Sequence, residues 1–309
     1  MIIEQNIPLA DKNWFMTGGP ARYWCEPHTE QDFAEALNFA RQHNLDIFVL
    51  GTGANILISD AGFDGLVIRP VLTTIEVDGA AGLVTAGAGV SIPHLIDTCL
   101  AQQMIGLEEF SGIPGTVGGS VFINIHYFQF LLGQFLHHAR VIDRTTGQIH
   151  DVDAAWFEFG YDHSKLFDRQ YYLVNATFKV TPVDTIKASY ACGRRDEIIR
   201  HRRQRYPNSN TCGSFFRNFL PEELPFEING KKMPFVAYYL DKIGVKGALR
   251  VGNAVVSYQH ANMLVTQQGA TTNDVIELAR TMQRMVHEQF GIVPHVECQL
   301  VGFEKNPLE

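Results

Sequence analysis

Glu109-Phe110-Ser111-Gly112-Ile113-Pro114-Gly115-Thr116-Val117-Gly118-Gly119-Ser120 is the stretch on which the fold turns. Four glycines and a proline stand together between apolar runs. Glycine lets the backbone pass close to a ligand and adopt angles closed to other residues. Proline fixes one torsion and removes one donor. Such a stretch either presents its amides to an anion such as a phosphate or makes a tight structural turn. A second glycine turn, Gly51-Thr52-Gly53-Ala54-Asn55, follows the apolar run Ile47-Phe48-Val49-Leu50. Two amide-rich turns in one N-terminal half point to a ligand that carries a pyrophosphate, with plain structural turns as the alternative.

Around these turns the pattern alternates between helix and strand. Thr29 precedes a helical face of Phe33, Ala36, Leu37 and Ala40, and Asp32 completes a weak capping box. A strand from Asp46 to Leu50 leads into the first turn, and Ile56 to Ile58 and Leu66 to Ile68 read as short strands. Ile75 to Val77 and Leu83 to Ala86 flank Asp78-Gly79, a hairpin cue. Ser91-Ile92-Pro93 opens a helix, where an early proline is tolerated. A second hairpin is expected at Thr145-Thr146-Gly147, and Tyr172 to Val180 reads as a strand. The arginine-rich run from 193 to 206 reads as a solvated helix or a binding patch, ended by Pro207-Asn208-Ser209-Asn210. A last helix starts near Thr271, with Val275, Leu278, Ala279, Met282 and Val286 on one face, and stops at Gly291. The result is an α+β chain in three domains, expected at 1–71, 72–185 and 186–309.

Composition narrows the function. The chain has 309 residues, 46% of them hydrophobic and 19% charged, which suits a multidomain globular protein. A formal net charge of −8 argues against a general nucleic-acid binder. Five scattered cysteines without a C-x-x-C pair favour reduced thiols in a cytoplasm. The N-terminal residues do not read as a signal peptide, and no apolar run suits a bilayer span.

Several familiar sites are missing. No G-x-G-x-x-G opens a helix after a strand, and there is no P-loop. A metal site is not expected. His137 and His138 are adjacent, so on a strand they should face opposite ways, and His295 with Glu297 lacks a third ligand. Cys212-Gly213-Ser214-Phe215-Phe216-Arg217-Asn218 is more unusual. Ser214 suits a hydrogen-bond donor, a proton donor or a helix cap. Arg217 and Asn218 suit phosphate or amide recognition. Glu297 sits in an apolar C-terminal strand, where a buried carboxyl would tend to a raised pKa and an exposed one would not.

Taken in order, these motifs resemble a known family. They are Asn13 to Ala21, Leu50 to Leu57, Gly112 to Gly119, Gly213 to Asn218, Val251-Gly252 through His260-Ala261-Asn262, and Glu297. The chain resembles the UDP-N-acetylenolpyruvoylglucosamine reductases (UDP-N-acetylmuramate dehydrogenases), in their shorter subtype. The resemblance spans nearly the whole chain. It implies that the first two domains form an FAD-binding unit of the vanillyl-alcohol-oxidase type and that the third binds substrate. It implies that Gly51, Thr52, Gly53, Ala54, Asn55, Ile56 and Leu57 line the FAD with Ile113, Pro114, Gly115, Thr116, Gly118, Gly119 and Ser120. It further implies NADPH as hydride donor and a UDP-sugar as substrate in peptidoglycan synthesis. Ser214 would be the general acid, Glu297 the group that polarises the enolpyruvyl carboxylate, and Tyr161, Arg217 and Asn218 substrate contacts. A cytoplasmic monomer is expected.

Two stretches depart from the family pattern. The family shows Tyr-Arg-x-Ser where this chain has Tyr161-Asp162-His163-Ser164, so an aspartate stands in place of the arginine that meets the substrate carboxylate. Lys165 and Arg169 are the neighbouring cations. The family shows Asn-x-Gly-Ala-Tyr-Gly where this chain has Asn124-Ile125-His126-Tyr127-Phe128-Gln129. An FAD-binding paralogue without reductase activity is therefore the alternative reading.

Overall fold

Helix α1 (Glu30–Gln42) begins with a reciprocal cap. The Asp32 amide donates to Thr29 Oγ1 at 3.1 Å, and the Thr29 amide donates to Asp32 Oδ2 at 3.0 Å. Its apolar stripe, Phe33, Ala36, Leu37 and Ala40, is buried with Ile47, Leu66 and Ile68 in one core cluster. Those last residues come from strands that run parallel, with Ile47 opposite Leu66 and Val49 opposite Ile68.

The computed structural model describes residues 1–309. The chain forms two units and passes between them more than once. One contains Met1–Gln5, Tyr23–Thr52 and Gly65–Arg202; the other contains Asn6–Arg22, Gly53–Asp64 and Arg203–Glu309.

The first unit is built on a five-stranded antiparallel sheet. Its strands lie in the order Ile149–Asp153, Leu136–Asp143, Tyr171–Lys179, Leu83–Gly87 and Ile75–Asp78. Helices α2 (Ile92–Ala101) and α3 (Val117–Phe122) supply Leu95, Ile96, Cys99, Val117 and Val121 to its main core. The hairpin expected at Asp78-Gly79 forms, but with a longer turn. Asp78 pairs with Leu83, and its Oδ1 accepts from the amides of Ala80 and Ala81 at 3.1 and 2.9 Å. The left-handed residue is accordingly Gly82, with φ 67°, and not Gly79.

The expectation that His137 and His138 face opposite ways fails. A register shift between Leu136 and His138 against Tyr171–Lys179 breaks the two-residue period. The two Nδ1 atoms lie 2.8 Å apart as a result. Helix α4 (Thr185–Arg205) is solvated along most of its surface and buries only Ala188, Ala191 and Ile198. Its arginines tie it down within the first unit. Arg194 pairs with Glu109 at 2.8 Å, Arg195 with Asp97 at 2.7 Å, and Arg202 Nε donates to the Gly112 carbonyl at 3.0 Å.

The second unit joins a three-stranded antiparallel sheet (Arg250–Val251, Ala254–Val256, Leu264–Thr266) to α5 (Val236–Lys242) and α6 (Thr272–Phe290). A parallel pair, Gln299–Val301 with Ile56–Ile58, completes it. Val275, Leu278, Ala279, Met282 and Val286 of α6 are buried, so the methionine is core filling. Gly291 ends the helix with φ 70°. No helix is long and apolar enough to cross a membrane.

Thr271 Oγ1 caps α6 by accepting from the Asp274 amide at 3.1 Å. Thr271→Ala is expected to cost about 1 kcal/mol of stability, measured by urea unfolding. An unchanged midpoint would show that the cap contributes nothing.

Candidate active site

In the first unit the strand Asp46–Val49 delivers Leu50 to a hydrogen bond with the Ile68 carbonyl, 2.9 Å, and the chain turns at Gly51. A Cβ placed on Gly51 would lie 2.7 Å from Thr116 Oγ1, so only glycine fits this approach. The two glycine turns thus meet at Gly51 and Thr116. The second turn is pinned on several sides. Ile92 N donates to the Gly115 carbonyl at 3.0 Å, Val117 N to Val90 at 2.8 Å, and Gly118 N to Ala88 at 2.9 Å. A Cβ on Gly118 would sit 3.1 Å from the Ala88 oxygen.

Two polar atoms in these turns lack a hydrogen bond within the protein: Ser111 Oγ and Asn55 Oδ1, both buried. Buried polar atoms are almost always paired, so each unpaired one marks a place for a ligand donor or acceptor. Close backbone approach combined with unsatisfied polar atoms fits a dinucleotide cofactor better than a purely structural turn. Within the first unit, Gly51, Thr52, Ile113, Pro114, Gly115, Thr116, Gly118, Gly119 and Ser120 are the residues that would hold it.

The first unit also holds Tyr161 and Asp162. They sit at the tip of a turn closed by a 3.0 Å bond from Gly160 N to the His163 carbonyl. Tyr161 is 52% exposed. Lys165 is paired with Glu158 at 2.8 Å and lies 5.2 Å from the Trp156 ring centroid.

In the second unit the segment carrying Ser214 runs antiparallel to the one carrying Glu297. Phe216 bridges Val296. The Glu297 amide donates to the Phe215 carbonyl at 2.8 Å, and the Arg217 amide to the His295 carbonyl at 2.9 Å. This ladder brings residues far apart in sequence into neighbouring positions. Asn262, only 3% exposed, fixes the segment from the other side. It accepts from Phe216 N at 3.0 Å and donates to the Phe216 carbonyl at 2.7 Å. Its own carbonyl accepts from Phe215 N at 2.8 Å. Phe215 and Phe216 are fully buried, with their rings edge to face. Ser214 and Glu297 are both half-buried, so the carboxyl is neither sealed in the core nor on an open face. Ser214 caps no helix.

The neighbourhood is dry beneath. Burial, the Cys298 thiol and the Glu297 charge together push the Cys212 thiol well above its ordinary range. Burial and the nearby Arg205 charge lower His260 to about 4, so its Nδ1 accepts from the Asn262 amide at 3.2 Å as a neutral ring.

Arg217 is occupied within the protein. Its Nη1 donates to Glu223 Oε2 at 2.8 Å and to the Asn218 carbonyl at 3.0 Å. Asn218 Oδ1 accepts from Val236 N at 3.3 Å. Glu223, Asn262 and His126 were not singled out by sequence reasoning as site residues. Asn262 lay inside a quoted motif, whereas Glu223 carries no local signal.

Similarity to known proteins follows the same division. Residues 21–153 match the family described as FAD binding domain. Residues 204–301 match the C-terminal domain of UDP-N-acetylenolpyruvoylglucosamine reductase. The UDP-N-acetylenolpyruvoylglucosamine reductase of Synechococcus sp. (strain JA-3-3Ab) is 30% identical over 319 residues, covering 99% of this chain and 93% of the relative. That of Lactobacillus johnsonii is 32% identical over 311 residues, covering 98% and 96%. The crystal structure of UDP-N-acetylenolpyruvylglucosamine reductase from Thermus caldophilus superposes with a TM-score of 0.79 at 27% identity, covering 97% of this chain and 99% of that one. The matches give the chain an FAD-binding portion and a reductase C-terminal domain, and the chain is an FAD-containing oxidoreductase.

Two outcomes test this geometry. Gly51→Val is expected to purify with much less flavin than the parent, read from the visible spectrum; full flavin content would contradict the close approach. Arg217 beside Glu223 holds that carboxyl down at about 2, against an ordinary 4.5. A depressed carboxyl stabilises the fold fully above its ordinary value, and the contribution is lost as pH falls through the lowered one. Glu223→Gln should therefore cost about 1–2 kcal/mol at pH 7, with the difference from the parent shrinking as pH falls from about 4.5 to about 2. A difference independent of pH would remove the ion pair as its cause.

Proposed function

The chain belongs to the UDP-N-acetylenolpyruvoylglucosamine reductase family, and from that premise we propose that it reduces UDP-N-acetylglucosamine enolpyruvate to UDP-N-acetylmuramate with NADPH, as a step of peptidoglycan synthesis. The observation that supports this reading is the antiparallel pairing in the second unit that sets Glu297 opposite Phe215, the residue after Ser214. We further infer a cytoplasmic monomer. We assign 1–71 and 72–185 to FAD binding and 186–309 to the sugar nucleotide.

FAD, held by Gly51 to Leu57 and Ile113 to Ser120, would supply the hydride that C3 of the enolpyruvyl group receives, with NADPH as its source. The protein's own residues manage the charge and the proton that go with it. Negative charge develops on the carboxylate side of the substrate. Glu297 polarises that carboxylate, and does so best as a neutral acid that donates a hydrogen bond. Ser214 gives its proton to C2. A serine is a weak acid, so its segment must be held still and its oxygen stabilised while the proton is away. Asn262 and the fully buried Phe215 and Phe216 provide the rigidity. Tyr161, Arg217 and Asn218 are the proposed sugar-nucleotide contacts. Because Arg217 is already paired with Glu223, it reaches a diphosphate only as part of that pair.

Asp162 favours a second reading, in which the chain binds FAD without acting on the sugar. Following NADPH oxidation with and without the enolpyruvyl sugar separates the two. Sugar-dependent turnover supports the reductase, and flavin reduction that never leads to sugar-dependent reoxidation supports the paralogue. Ser214→Ala is expected to leave reduction of the flavin by NADPH intact and to slow reoxidation by the sugar about 10²–10⁴-fold in stopped flow. Equal slowing of both half-reactions would contradict the acid role.

A further inference from the structure

The two stretches where this chain departs from its family touch each other. His126 Nδ1 lies 3.1 Å from Asp162 Oδ1. The His126 ring also packs on Tyr161, with centroids 4.9 Å apart. Asn124 locks the two stretches together. Its Nδ2 donates to the Gly160 carbonyl at 2.9 Å, and its Oδ1 accepts from Gly133 N at 2.8 Å. His126 lies on a short strand paired through Phe130 and Leu131, and Asp162 lies on the turn from Gly160 to His163. All of these residues belong to the first unit.

The arrangement is costly. Asp162 has a left-handed backbone, φ 50°, and Asn124 and Phe128 have φ 51° and 52°. Asp162 Oδ2 is buried and has no hydrogen bond. Phe128 is 67% exposed at the tip of its hairpin. A buried carboxylate oxygen without a hydrogen bond calls for a specific explanation. Both side chains nevertheless reach solvent, at 31% exposure for His126 and 21% for Asp162. An aspartate that holds Nδ1 fixes the ring orientation and leaves Nε2 as the nitrogen for a ligand. Once both nitrogens carry protons, Nε2 donates to an anion on the side away from Asp162.

Resting on the reductase reading above, we propose that His126, positioned by Asp162, is the cation that receives the enolpyruvyl carboxylate in this chain. It thus stands in for the arginine expected at 162. Lys165 does not fill that role, because Glu158 engages it. Asp162 and Tyr161 come from one turn, and His163 of that turn stacks on Phe167. Tyr127, next to His126, turns to α4, where its hydroxyl is 3.4 Å from His201 Nδ1 and its ring 5.8 Å from the Arg202 guanidinium.

The test is calorimetric titration of the FAD-loaded protein with UDP-N-acetylglucosamine enolpyruvate and with UDP-N-acetylglucosamine. His126→Gln should weaken the enolpyruvyl ligand about tenfold or more, as expected for loss of a charge-assisted hydrogen bond. It should leave the sugar without the carboxylate nearly unaffected. His126→Arg should retain the affinity, because a guanidinium also carries the charge. Equal weakening of both ligands by His126→Gln would move the pair to the phosphates and overturn the carboxylate assignment. So would unchanged affinity in His126→Gln, or equal loss of the enolpyruvyl ligand in His126→Arg. Flavin content and melting temperature show whether each variant is folded. Stopped-flow reoxidation of the parent by the sugar is read separately. If the parent binds the enolpyruvyl sugar with the expected preference but is not reoxidised by it, the reductase reading falls and the binding assignment stands; if it does not bind it, both fall.

Discussion

The carboxamide of Asn262 holds both polar groups of one peptide residue, accepting from the Phe216 amide and donating to its carbonyl. A segment with no regular secondary structure around Ser214 has no ladder of its own to satisfy its backbone, and unsatisfied buried peptide groups are costly. Asn262 supplies part of what is missing, and the segment of Glu297 supplies more through the Phe215 carbonyl and the Arg217 amide. With the backbone held on both sides, the two phenylalanines can be wholly buried. The small hydroxyl beside them then has a fixed place. Every chemical role given to Ser214 depends on this restraint, because a proton donor of low acidity works only when it is well positioned.

The cofactor half obeys a different constraint. Its turns are defined by what cannot be there. A single carbon added to Gly51 would collide with the Thr116 hydroxyl, and one added to Gly118 would crowd the Ala88 carbonyl. The buried but unpaired Ser111 Oγ and Asn55 Oδ1 show where protein partners run out. The arginines of α4 add rigidity through Arg202 on the Gly112 carbonyl, so a helix that buries little of its own surface braces the glycine segment.

Asp162 looked like a charge reversal in isolation. In the fold it is one half of a pair whose other half, His126, is itself a departure from the family pattern. Neither substitution makes sense alone. A histidine in place of a glycine needs room and a partner, and an aspartate partly withdrawn from water needs a compensating donor. Together they restore one.

Local signals were enough for much of this chain. The caps at Thr29, Ser91 and Thr271, the stripe from Val275 to Val286, the αL stop at Gly291 and both hairpins are short-range features, and they form as the residues suggest. The ordered motifs also pointed to the family and to FAD. Only the tertiary structure decided the rest. A strand bulge put His137 and His138 side by side, because register depends on the partner strand and not on the strand itself. Arg217 found Glu223, His126 found Asp162, and Phe216 found Asn262 across separations from six to forty-six residues. Secondary structure follows from interactions within a few residues, which a sequence displays directly. Charge pairing and the satisfaction of buried polar atoms depend on which distant segments the core brings together, and that is written only in the packing.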